Sequence, residues 1–152
     1  MPRILPVIAL LAATATPALA DLKPDRLSFL LGSHHISPSQ TFEEFNPGVF
    51  LTWEGTFDTN LGLYRNSYGR TAAAATLAFP FYESGPFRLS AFVGAAYYPD
   101  DGRRFRIHAG DFIPLAGLQA RIGPTFVQFI PGDGREVDGI IAAGLTFPLG
   151  GR

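Results

Sequence analysis

Apolar residues recur at every second position through several runs of about ten residues, and that period belongs to strands with two unlike faces. From Phe87 to Tyr97 one face carries Phe87, Leu89, Ala91, Val93, Ala95 and Tyr97, and the other Arg88, Ser90, Phe92, Gly94 and Ala96. Ile141, Ala143, Leu145, Phe147 and Leu149 oppose Ala142, Gly144, Thr146 and Pro148. Ala116, Leu118, Ala120 and Ile122 oppose Gly117, Gln119, Arg121 and Gly123, and Val49, Leu51 and Trp53 oppose Phe50, Thr52 and Glu54. One face is apolar each time, and the other is small or polar. Seventeen glycines and thirteen prolines punctuate these runs, as in an all-β chain. The spacing predicts eight strands, at about 27–36, 48–54, 61–66, 72–81, 87–98, 112–122, 124–131 and 138–149. Ala72 to Ala75 would also suit a helix, but Pro80 and the flanking strands favour strand. The stretch from Arg103 to Asp111 is read as loop.

A soluble β-barrel or sandwich gives the same alternation. Three features favour hydrocarbon outside instead. Runs of about ten residues match the ~9–11 of a transmembrane strand. Aromatics stand near strand ends (Trp53, Phe81, Tyr97, Tyr98, Phe147), and charges gather in connections such as Asp100-Asp101-Gly102-Arg103-Arg104 and Gly132-Asp133-Gly134-Arg135-Glu136. At the start, Arg3, an apolar core from Ile4 to Leu11 and Ala18-Leu19-Ala20 form the pattern of a cleaved secretory signal over residues 1–20, with an uncleaved anchor as the competing reading. Past Ala20 no stretch has the roughly 20 apolar residues of a spanning helix. The expected architecture is an all-β, eight-stranded antiparallel transmembrane β-barrel over residues 21–152, acting as a monomer in a bacterial outer membrane.

Counting hairpins from a periplasmic N-terminus puts Ser33, His34, His35, the turn holding Asn66 and Ser67, and the connections 98–111 and 132–137 on one outer rim. The turn Tyr64-Arg65-Asn66-Ser67-Tyr68-Gly69-Arg70 is richer in hydroxyl, amide and guanidinium groups than chain reversal requires. An imidazole near a hydroxyl suits proton transfer to or from that oxygen; polar residues at a membrane interface, and a turn serine bonded to its own backbone, are the plainer readings. Arg65, Arg70, Arg103 and Arg104 could grip lipid phosphates or simply solvate the rim. Pro47, Pro114 and Pro131 fall at outer-rim strand ends, where each removes a ladder donor. They end strands, or they open gaps for a lipid chain to pass sideways. A net charge of −1 argues against a nucleic-acid surface, and the chain has no cysteine, spaced metal cluster or phosphate-binding glycine loop. No cofactor is expected, and His108 reads as a solvated loop residue.

In order along the chain stand Ser33-His34-His35, Phe45-Asn46-Pro47-Gly48, Tyr64-Arg65-Asn66-Ser67-Tyr68, Ile113-Pro114-Leu115-Ala116, Gly123-Pro124-Thr125-Phe126 and Ile130-Pro131-Gly132. That order resembles the lipid A palmitoyltransferase family, from about Leu31 to Leu149. The resemblance implies an eight-stranded outer-membrane barrel that moves an acyl chain from a phospholipid to lipid A of lipopolysaccharide, with an interior acyl cavity entered between strands beside prolines. It carries a catalytic histidine onto His35, or onto His34 with one residue of slip, and a serine onto Ser67. The family's aspartate falls on Asn66, which can orient an imidazole but cannot stabilise its charged form; Asp100, Asp101 and Asp111 are acids of the right type, while connectivity puts Asp58 on the opposite rim. Eleven residues past Ser67, Ala78 falls where the family has a small residue flooring the cavity, so the resemblance implies control of chain length there. The family's amphipathic N-terminal helix is absent or truncated. The alternative is a non-enzymatic barrel that binds lipid or stiffens the membrane.

Overall fold

The computed structural model describes residues 23–150. The expected signal over residues 1–20 lies outside the described residues. Eight strands close a barrel in chain order: β1 (Arg26–Ile36), β2 (Gly48–Trp53), β3 (Asp58–Arg65), β4 (Thr71–Ser84), β5 (Phe87–Tyr97), β6 (Phe112–Ile122), β7 (Thr125–Pro131) and β8 (Gly139–Pro148). Every neighbouring pair is antiparallel, and β8 pairs back onto β1.

Two ends follow from this connectivity. The lower rim holds the turns 54–57, 85–86 and 123–124, and the upper rim the loops 37–47, 66–70, 98–111 and 132–138. Gly85-Pro86 and Gly123-Pro124 make two-residue hairpins. Gly85 and Gly123 supply positive φ, +56° and +57°, at the first central position, and the fixed φ of proline suits the second.

Strand boundaries differ from the sequence reading by more than one residue in two places. β3 begins at Asp58 rather than 61, because Asp58, Thr59 and Asn60 pair with Ala78, Leu77 and Thr76; their polarity hid a strand whose inner face is polar. β4 runs on to Ser84 through a register shift between Pro80 and Tyr82. Ala72 to Ala75 are strand, paired to β3 and β5. The loop 98–111 contributes a short 3-10 turn, Gly102–Arg104, and one bridge, Ala109 to Phe112, but no ninth strand.

The two faces of the wall differ in chemistry. Outward stand Phe29, Leu31, Val49, Leu61, Leu63, Phe79, Val93, Leu118, Val127, Phe129, Ile141 and Phe147, all exposed. Inward the lower third is polar: Glu54 accepts from Arg121 at 3.0 Å and lies 3.5 Å from Arg88 and 3.9 Å from Arg26, while Arg88 meets Asp58 at 3.3 Å. Above this floor Ser28 bonds Thr146 at 2.8 Å, Thr52 bonds Asn60 at 2.7 Å, and Gln128 bonds Gln119 at 2.8 Å. Higher still the lining is apolar, with Leu30, Phe50, Ala74, Ile113, Leu115, Ile130 and Ala142. Gly117 lets the Phe92 ring cross the interior; a Cβ there would lie 2.8 Å from its Cζ.

Two seams are incomplete near the upper rim. The β6–β7 ladder ends at Leu118 and Phe129, below Pro114 and Pro131. The β1–β2 ladder ends at Leu30 and Gly48, beside Pro47, and above it β1 meets the loop 37–47, with the Ser33 N–H donating to the Glu44 carbonyl at 2.8 Å. All three prolines singled out in the sequence border these seams.

Candidate functional site

A single extra residue decides which histidine turns inward. Along β1 the register to β8 shifts between Leu30, opposite Gly144, and Gly32, opposite Ala143, so Leu31 is an unpaired bulge. Strict alternation from Arg26, Ser28 and Leu30 would send His34 inward and His35 outward. The bulge reverses that parity. His35 is 3% exposed, whereas the His34 imidazole faces out and its Nδ1 meets the Glu44 carboxylate at 3.0 Å. Of the two candidates, only His35 meets the turn residue Ser67, its Nε2 lying 2.8 Å from Ser67 Oγ.

Asn66 builds the turn that presents Ser67. Its N–H donates to the Arg70 carbonyl at 2.7 Å, and its own carbonyl accepts from Gly69 N–H at 2.9 Å. Its side-chain Oδ1 accepts the N–H groups of Tyr68 and Arg70, both at 3.0 Å. Gly69 takes the positive φ, +79°, that closes the turn. The Asn66 side chain is fully buried, so the residue standing where an aspartate was expected works as a turn clamp.

Loop 37–47 straps the pair in place. The Glu43 N–H donates to the Ser67 carbonyl at 3.0 Å, and Phe42 stacks on the His35 ring with centroids 4.6 Å apart while its edge meets Tyr68. Tyr68 in turn carries Arg104 over its ring at 4.9 Å. Burial, reinforced by the Glu136 carboxylate and opposed by Arg104, pushes the Tyr68 phenol up to about 12, so it stays protonated through the physiological range.

The expected acids lie elsewhere. Asp58 is at the lower rim with Arg88. Asp100 and Asp101 hold Arg70 at 2.8 and 3.5 Å, and Asp101 also holds Arg104 at 2.8 Å. Asp111 accepts the Tyr98 N–H through its backbone carbonyl. His35 Nδ1 is buried without a hydrogen-bond partner among the described residues. Glu44, which the sequence reading passed over, touches His35 only through the backbone N–H, at 3.5 Å. Arg65 and Arg70, expected to hold phosphates, are half-exposed and carry acidic partners, Glu43 at 3.7 Å and the Asp100–Asp101 pair. His108 sits in its loop with Nδ1 3.2 Å from the Gly110 carbonyl oxygen.

Beneath the pair opens a cavity of about 340 Å³ lined by Ser33, Asn46, Ser67, Tyr64, Tyr98, the apolar upper lining and, at its base, Ala78, Phe92 and the polar floor. Ala78, 4% exposed, faces inward beside Phe92. From Asn66 to Asp58, β3 advances eight residues, which at ~3.3 Å each and a tilt of ~40° gives a depth of roughly 20 Å. The molecule is thus an eight-stranded barrel with a histidine–serine pair at one rim, over a slot that is apolar in its upper part and polar below, and whose upper walls have two incomplete seams. No protein-family model matches the chain, and no curated protein matches it by sequence.

Proposed function

We propose that this protein is an outer-membrane enzyme that transfers an acyl chain from a phospholipid to a hydroxyl of lipid A, as its resemblance to the lipid A palmitoyltransferases implies. The observation that carries the reading is the 2.8 Å contact of His35 Nε2 with Ser67 Oγ at the mouth of a cavity whose upper lining is apolar. A hydroxyl and an imidazole at that distance form a nucleophile and its base. The belt of exposed Leu, Val, Ile and Phe around the barrel supports immersion in hydrocarbon, since a water-facing surface rarely carries contiguous apolar area beyond a few hundred Å². The slot, roughly 20 Å deep and apolar in its upper part, would take an acyl chain from one leaflet of a hydrocarbon core ~30 Å thick, with the chain end near the polar layers. The seams beside Pro47, Pro114 and Pro131 are its sideways entrances.

In the tautomer with its proton on Nδ1, the His35 imidazole accepts the Ser67 hydroxyl. The Oγ attacks the ester carbonyl of the phospholipid as Nε2 takes the hydroxyl proton. The tetrahedral adduct then collapses, the C–O bond to glycerol breaks, and His35 returns the proton to the departing lysophospholipid. A hydroxyl of lipid A, deprotonated by the same nitrogen, attacks the acyl-serine ester and takes the chain, and the proton goes back to Ser67. Among the described residues no carboxylate bonds Nδ1, so the imidazolium is less stabilised than in a triad, where an Asp-to-Asn change lowers turnover about 10⁴-fold. That observation favours the second reading, a lipid-binding barrel without turnover.

One experiment separates the two. Folded protein in mixed micelles with a defined diacyl phospholipid and lipid A is followed by mass spectrometry of the lipids. Lysophospholipid and acylated lipid A appearing together, and lost in His35→Ala, support transfer. An intact donor across several detergents supports the inert barrel.

A further inference from the structure

At the same rim a second buried group borders the cavity and takes no part in the histidine–serine contact. Asn46, the last residue but one before β2, is 3% exposed and lines the cavity together with Ser67 and Ser33. Its Oδ1 accepts the Ser33 hydroxyl, and Nδ2 is the other end of the amide. Nδ2 is buried and has no hydrogen-bond partner among the described residues. A buried amide N–H group without an acceptor is costly, by about 1–3 kcal/mol, unless a ligand supplies one.

We infer that Asn46 is a catalytic residue whose Nδ2 donates to the carbonyl oxygen of the acyl ester and holds the oxyanion formed when Ser67 attacks. The inference rests on the acyl-transfer reading and adds the electrostatic half of the site, which His35 and Ser67 do not supply. The chemistry required is a donor fixed before the reaction and excluded from water, aimed where negative charge develops. Asn46 meets the first two, being buried and set in a tethered segment. Pro47 fixes the chain immediately after it, and the Pro47 carbonyl accepts the Arg65 N–H at 2.9 Å, tying this segment to the turn that carries Ser67. Ser33, on β1 two residues before His35, sets the amide's rotation, so it is a positioning residue.

Steady-state transfer from a defined phospholipid to lipid A is measured for the wild type, Asn46→Asp, Asn46→Ala and Ser33→Ala, each first shown to be folded by heat-dependent gel mobility. Asn46→Asp keeps the side chain's shape but cannot donate, and it is expected to lower kcat by about 10²–10³-fold with KM within a few fold. Asn46→Ala should fall as far. Ser33→Ala, which keeps the amide but frees its rotation, should lose about tenfold. An active wild type alongside a folded Asn46→Asp of unchanged kcat overturns this assignment while leaving acyl transfer standing. A folded wild type that makes no lysophospholipid overturns both.

Discussion

Replacing Asn66 by alanine removes the acceptor that holds two backbone donors of the turn, and the loss can be worked out bond by bond. Tyr68 N–H and Arg70 N–H each reach Asn66 Oδ1 at 3.0 Å from a side chain with no solvent exposure. Each such bond contributes about 1 kcal/mol net, so opening the turn should become easier by about 2 kcal/mol, roughly 30-fold. Amide hydrogen exchange reads this directly: Tyr68 and Arg70 should exchange about 30-fold faster in Asn66→Ala than in the wild type. The strand amides of β3, whose partners are backbone carbonyls, should not change. Asn66→Asp retains an oxygen at the same place and should keep both amides protected. Turnover should follow the loosened turn, since a shift of about 1 Å in a reacting group can cost on the order of 10²-fold. Unchanged exchange at Tyr68 and Arg70 in a folded Asn66→Ala protein would refute the clamp and, with it, the reason Ser67 stands where it does.

Three other outcomes are expected. His35→Ala should reduce transfer by at least about 10³-fold and His34→Ala by no more than a few fold, measured by lysophospholipid release; equal losses would contradict the inward parity set by the Leu31 bulge. Ala78→Met should shift donor choice to shorter acyl chains and Ala78→Gly to chains longer by roughly one methylene, read as product chain length from a mixed phospholipid pool. Arg88→Met leaves the Asp58 and Glu54 carboxylates of the floor short of a cation and should destabilise the barrel by about 3 kcal/mol or more, seen as a lower denaturation midpoint in lipid vesicles.

Much of the barrel can be read from the chain because alternating side chains report directly which face of a strand they occupy. The runs around Leu89, Val93, Leu118 and Leu145 show it most clearly, and all four lie on the outer face. The start of β3 was missed because Asp58, Thr59 and Asn60 are polar in the sense of a loop but pair as a strand over a polar interior. Strict alternation does not choose correctly between His34 and His35, because the choice depends on a one-residue bulge in β1. A glycine at position 32, next to the shift, was the available signal. Asn46 and Glu44 carried no signal either, since their roles arise from a loop folding back onto β1. The arginines at 65 and 70 looked free in the sequence because Glu43, Asp100 and Asp101 come from other connections.

The pairing of His35 with Ser67 is tested most directly by reacting the folded protein with a long-chain alkyl fluorophosphonate and locating the adduct by peptide mass spectrometry. The phosphonyl group should sit on Ser67, form far faster with a long alkyl chain than with a methyl group, and be absent in His35→Ala. Labelling spread over other hydroxyls, or equal labelling of wild type and His35→Ala, would contradict a nucleophile activated at the mouth of an acyl slot.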